Sequence, residues 1–178
     1  MEPSTSMRLF KASPPFLAGA LGLMLQFAGT NATGADFLAQ AKQLALPARA
    51  YPELTQINDQ VAALILRMET NTNKLKEYRK ARIRATDRRY SALTREFNQS
   101  RSRLSEIERK LERAPALNIN RFPASSGSDR GSTSSDMRER ALATETRKYD
   151  QAKTSLRQCL KALSNHYDQQ LREIAKLR

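Results

Sequence analysis

Tryptophan is absent from this chain, aromatic residues make up 6% of it, and its 178 residues include one cysteine and one histidine. Each shortage closes a class of explanation. A single cysteine, Cys159, cannot form an internal disulfide, so no disulfide framework supports the fold. Cys159 and His166 are the only soft ligands, whereas a zinc site draws about four donors. Seven residues along a helix separate side chains by roughly 10 Å, too far for a thiol and its general base to touch. Glu106, Glu108 and Glu112 alternate with Arg103, Arg109, Lys110 and Arg113. That spacing gives ordinary ion pairing along a helix and lacks the cleft that paired catalytic carboxylates need. The segment "GSDRG" sits in a serine-rich connector and follows no strand, so it is no phosphate loop. The residues therefore indicate no catalytic group, no cofactor and no metal, and the chain is not expected to be an enzyme.

Glycine and proline are missing from Glu53 to Arg113, a run of 61 residues. Within it Leu54, Ile57, Val61, Leu64, Met68, Leu75 and Tyr78 keep a 3-4 spacing, with Asn71 at one position of the stripe. Tyr90, Leu93, Phe97, Leu104, Ile107 and Leu111 keep it again, with Ser100 in the gap, and the register slips by one residue around Arg82 and Ile83. A stripe of this kind predicts an amphipathic helix, about 90 Å long if unbroken, and calls for a partner helix.

The other segments are bounded by composition. Residues 1–35 have a short basic region with Arg8 and Lys11, an apolar run from Phe16 to Ala28, and small residues ending at Ala35. That order predicts a secretory signal peptide, because the apolar run falls short of the roughly 20 residues a membrane span needs. No transmembrane span is expected after cleavage. Residues 36–48 predict a short amphipathic helix stopped near Pro47, with Pro52 placed to open the next one. Residues 114–135 predict a flexible loop of Ser, Gly and Pro, and residues 136–178 a second long helix opened by Asp136 and Glu139 as a capping box.

The expected fold class is all-α, a long coiled-coil-like antiparallel hairpin of 53–113 and 136–178 with the short N-terminal helix packing back on it. Pairing outward from the loop sets Asp136 beside Arg113 and carries Arg178 roughly to Asn71. Glu53 to Thr70 are then left uncovered. Ile57, Val61, Leu64, Ile65 and Met68 are accordingly the candidate apolar seam, to be covered by the short helix and by a second copy in a homo-oligomer.

What the chain has in excess is positive charge: 31 Lys and Arg against 18 Asp and Glu, a net +13. An export signal would remove only Arg8, Lys11 and Glu2, so the basicity belongs to the rest of the chain. It is densest from Lys74 to Tyr90, with eight basic and two acidic side chains. Lys74, Lys76, Arg79, Lys80, Arg82, Arg84, Arg88 and Arg89 are the candidate binding residues for an anionic partner, and a solvated helix face is the rival account. The hairpin pairing places them opposite a basic C-terminus, at one end of the rod. Acidic protein, glycan or lipid surface are the expected partners. Nucleic acid ranks below them, because export removes the chain from it and Tyr78 and Tyr90 hold seam positions.

In composition and shape the chain is similar to the small basic helical chaperones of the bacterial periplasm. The Skp/OmpH family adds strands to its helical hairpin, and nothing here alternates to supply them. The Spy/CpxP family carries Leu-Thr-x-x-Gln, where Leu54-Thr55 is followed by Gln56-Ile57-Asn58 and Leu93-Thr94 by Arg95-Glu96-Phe97. The resemblance implies an exported chaperone-like or envelope-associated interaction factor, in the periplasm or outside the cell. A nucleic-acid-binding or scaffold coiled coil is the alternative.

Overall fold

The computed structural model describes residues 34–84, 86–121 and 132–177. Residues 1–33 of the expected export signal (1–35) and residues 122–131 of the expected flexible loop lie outside them. The described chain is all-α. Helix α1 spans Gly34–Ala45 and runs through a 3₁₀ turn, Leu46–Ala50, into α2 (Pro52–Lys80). Helices α3 (Arg88–Glu112) and α4 (Ser132–Ala175) follow.

The expected 53–113 helix is two helices. The chain reverses between Lys80 and Arg88, and α3 packs back along α2. The stop is a Schellman cap: the Arg82 amide donates to the Arg79 carbonyl at 3.1 Å and the Ile83 amide to the Tyr78 carbonyl at 3.0 Å. This geometry needs a left-handed residue after the helix, and Arg82 supplies it with φ 49°. The cost for a side chain bearing Cβ is about 1–2 kcal/mol. Ile83 and Tyr78, the pair that accompanies such a cap, are both partly buried against the core. Helix α3 restarts on Asp87, whose carboxylate accepts from the Arg89 amide at 2.8 Å, an N-cap worth about 1 kcal/mol.

Antiparallel pairing of α2 and α3 is fixed by contacts at both ends. Tyr78 meets Tyr90 edge to face at 5.5 Å, Lys74 bonds Glu96 at 3.1 Å and Lys110 bonds Gln60 at 3.2 Å. Helix α4 is antiparallel to α3, with Phe97 against Tyr167 at 5.8 Å and the Tyr149 hydroxyl donating to the Pro115 carbonyl. The expected register, Asp136 beside Arg113, is therefore displaced. Asp136 caps nothing; it lies inside α4, whose side chains from Asp136 to Lys148 are exposed or half-buried before Tyr149 enters the core. Helix α1 runs antiparallel to both α2 and α4, and the result is an up-down-up-down four-helix arrangement.

Helix α1 packs back on α2 and α4 as expected, through small residues. Ala41, Ala45 and Ala48 share one face and are buried, and the Cys159 thiol donates to the Ala41 carbonyl at 3.3 Å. Alanine lets two helix axes approach closely enough for that contact.

The expected exposed seam is closed. Ile57, Val61, Leu64, Ile65 and Met68 are all buried, with Val61 and Met68 at 0% exposure. The reversal at 81–87 returns α3 over α2, and α1 and α4 cover its other flank, so a second copy is not needed as a cover. Paired buried positions Ile57–Asn58, Leu64–Ile65 and Asn71–Thr72 show α2 covered on more than one side. Ser100, the gap in the α3 stripe, is fully buried and bonds the Glu96 carbonyl at 2.9 Å. Its small side chain leaves room for Tyr167, whose hydroxyl donates to the Leu64 carbonyl at 3.4 Å. Asn58 Oδ1 and Asn71 Nδ2 have no partner, each a deficit of about 1–3 kcal/mol.

Glycine at Arg82 is the sharpest check on the reversal. Arg82→Gly should leave stability unchanged or raise it by up to about 1 kcal/mol, since glycine relieves the left-handed backbone. Arg82→Val should lower it by at least about 1 kcal/mol. In an unbroken helix, glycine would instead cost about 1 kcal/mol relative to a good helix former. Urea unfolding of the three chains separates these outcomes.

Candidate functional site

The eight basic residues expected to act together are brought to one end of the bundle, where α2 ends, the chain turns and α3 begins. The end of α4 joins them, because Arg79 pairs with Glu173 at 3.1 Å. The expectation that this stretch faces the C-terminal turns therefore stands, in a different register from the hairpin pairing that suggested it.

The eight are not equivalent. Lys74 is half-buried and spent on Glu96. Arg79 is held by Glu173, which also takes Lys176 at 3.5 Å, and Arg89 lies 3.7 Å from Asp87. Ion pairs this exposed contribute little to stability, but they compensate charge. Lys76, Lys80, Arg82, Arg84 and Arg88 are exposed and have no carboxylate within pairing distance among the described residues. Arg172 adds another exposed cation from α4, and Glu77 is the exposed acid beside them. The turn thus groups five exposed cations without ion-pair partners among the described residues at one end of the bundle. Basic residues in the last turn of α2 also complement the helix dipole, as they would in any helix.

Shape and composition limit what this surface can do. Two helix axes 8–10 Å apart with their side chains are wider than the roughly 12 Å major groove, which admits one helix. Single-stranded nucleic acid is held on stacked aromatics, and here Tyr90 is buried while Tyr78 packs on it.

Cys159 and His166 lie two turns apart on the side of α4 that α1 covers. Cys159 is buried and its thiol is pushed up to about 12 by loss of solvent. His166 stacks on Phe37 of α1 at 4.7 Å, and its Nε2 has no partner. Burial lowers its pKa below the ordinary 6.5, and the nearby charge of Lys76 lowers it further. Among the described residues no three His, Cys, Asp or Glu side chains are grouped to hold a metal, and no helix is long and apolar enough to cross a membrane.

The feature missed in the residue pattern is the turn itself. Its signal was the one-residue slip at Arg82–Ile83, with Asp87 before a fresh apolar stripe as the restart. The chain matches no family model, no curated protein and no solved structure.

His166 supplies a pH test. The fold holds it neutral, so its contribution is fully present above pH 6.5. It is lost as pH falls toward the depressed native value, by up to about 1.4 kcal/mol per pH unit. His166→Gln should show a shallower loss of stability than the parent chain between pH 7 and 5, measured by urea unfolding. Equal slopes would contradict a buried neutral imidazole.

Proposed function

We propose that this chain is an exported binding protein, an envelope-associated interaction factor that docks the basic end of its helical bundle on an anionic lipid surface. The single observation that carries this is the exposed cluster of Lys76, Lys80, Arg82, Arg84 and Arg88, without ion-pair partners among the described residues, at the turn between α2 and α3. Export rests on the apolar run Phe16 to Ala28 with its basic and small-residue flanks. Basic side chains near an anionic membrane surface contribute about 1 kcal/mol each and are screened within a Debye length. Among the described residues of the turn itself no large apolar side chain protrudes, since Ile83 is half-buried, and Leu177 near the end of α4 is 42% exposed. Contact through the turn is therefore with headgroups and reversible by salt.

The chaperone-like variant loses the seam it was expected to use, because Ile57, Val61, Leu64, Ile65 and Met68 are enclosed in the bundle. Nucleic-acid binding keeps one argument, the predominance of arginine in the cluster, and lacks stacking aromatics and a groove-sized helix.

Vesicle sedimentation decides between them. The chain should bind phosphatidylglycerol vesicles at low salt, ignore phosphatidylcholine vesicles, and release near 0.5 M salt. Changing Lys76, Lys80, Arg84 and Arg88 together to Gln should weaken vesicle binding at least tenfold with helicity unchanged. Undiminished binding by that variant would make the stretch a solvated face. Tight, salt-steep binding to duplex DNA with none to vesicles would establish the alternative.

A further inference from the structure

The exposed large apolar side chains among the described residues are Leu46, Leu66, Ile119, Met137 and, beside the basic end, Leu177. Two of them, Leu46 at 51% exposure and Leu66 at 64%, line the same groove. It lies between α2 and the stretch from Lys42 to Arg49, and encloses about 240 Å³. Ligand pockets for whole small molecules start near 300 Å³, so this space suits a few side chains delivered by a larger partner.

The walls have helical periodicity. Lys42, Leu46 and Arg49 are spaced i, i+4, i+7 on one side, and Asn58, Ala62 and Leu66 are spaced i, i+4, i+8 on the other. Two antiparallel ridges with a trough between them are the seat of a third helix.

Charge and hydrogen bonding narrow the occupant. No carboxylate lines the groove. Lys42 on the rim pairs with Glu69, while Arg49 has no such partner among the described residues. Asn58, at 3% exposure, lines the groove with its amide oxygen lacking a donor. We infer that this groove docks an acidic amphipathic helix of a partner protein. The helix brings one or two leucine-like side chains between Leu46 and Leu66, a carboxylate to Arg49 and a hydroxyl or amide donor to Asn58. A second copy is disfavoured as occupant, because a chain of net +13 repels itself. The inference is separate from the basic turn, whose residues do not line this groove.

The probe is a fluorescein-labelled 18-residue helix with Leu at i and i+4, Ser between turns and Glu on both flanks. It is titrated with the full chain by fluorescence anisotropy. Saturable micromolar binding is expected, at least tenfold weaker with Leu66→Glu and at least fivefold weaker with Arg49→Glu. Both positions lie at the rim, and circular dichroism checks that the variants fold. A peptide with Lys in place of Glu should not bind. The inference is overturned if Leu66→Glu binds as the parent does, or if the Lys peptide binds equally. It is overturned too if light scattering shows a dimer that Leu66→Glu dissociates, which makes the occupant a second copy. Loss of peptide binding on neutralising Lys76, Lys80, Arg84 and Arg88, with Leu66→Glu unaffected, would place the peptide on the basic turn. That result overturns the groove while leaving the proposed function intact.

Discussion

Two backbone hydrogen bonds, Arg82 to the Arg79 carbonyl and Ile83 to the Tyr78 carbonyl, end α2 and turn the chain through the left-handed conformation of Arg82. Everything downstream depends on that reversal. It converts a stripe that would need a partner along its whole length into two stripes facing each other. Tyr78 on Tyr90, Lys74 on Glu96 and Lys110 on Gln60 hold the register from the turn to the far end. It also gathers a linear run of cations at one end of the bundle.

The rest of the bundle is built on the platform this makes. Helix α4 lays Tyr167 across α2 and α3, where Ser100 leaves space and Leu64 supplies an acceptor. Helix α1 is held by small residues, with Cys159 and His166 beneath it. Close approach through Ala41, Ala45 and Ala48 leaves Leu46 on the outside, facing Leu66. One short helix thus encloses the α2–α4 flank and opens the groove on the other side of itself.

Much of this was legible in the residues, for identifiable reasons. Strong 3-4 periodicity made the all-α class clear, and Pro47 and Pro52 marked the turn between α1 and α2. The basic stretch and the C-terminus were correctly placed at one end. The reversal was harder to see because chain turns are usually written in Gly, Pro or Asn. Here the left-handed position is an arginine, whose strain of about 1–2 kcal/mol is carried by the tertiary packing. With one long helix assumed, Ile57, Val61, Leu64, Ile65 and Met68 had to be exposed; with the turn in place they are core. The Leu46–Leu66 groove was out of reach of periodicity, since it depends on how the 3₁₀ segment after Ala45 sets one side chain against another helix.

The central claim, that α2 and α3 are antiparallel neighbours, has a direct measurement. Spin labels at Gln60 and Lys110, in a Cys159→Ala background, report the distance across the hairpin by pulsed electron resonance. These residues are 50 apart in sequence and share a 3.2 Å hydrogen bond. Packed helices predict a label separation under about 25 Å, with a narrow distribution. A separation of roughly 75 Å, the length of a continuous helix between them, would contradict the fold and the grouping of charges that rests on it.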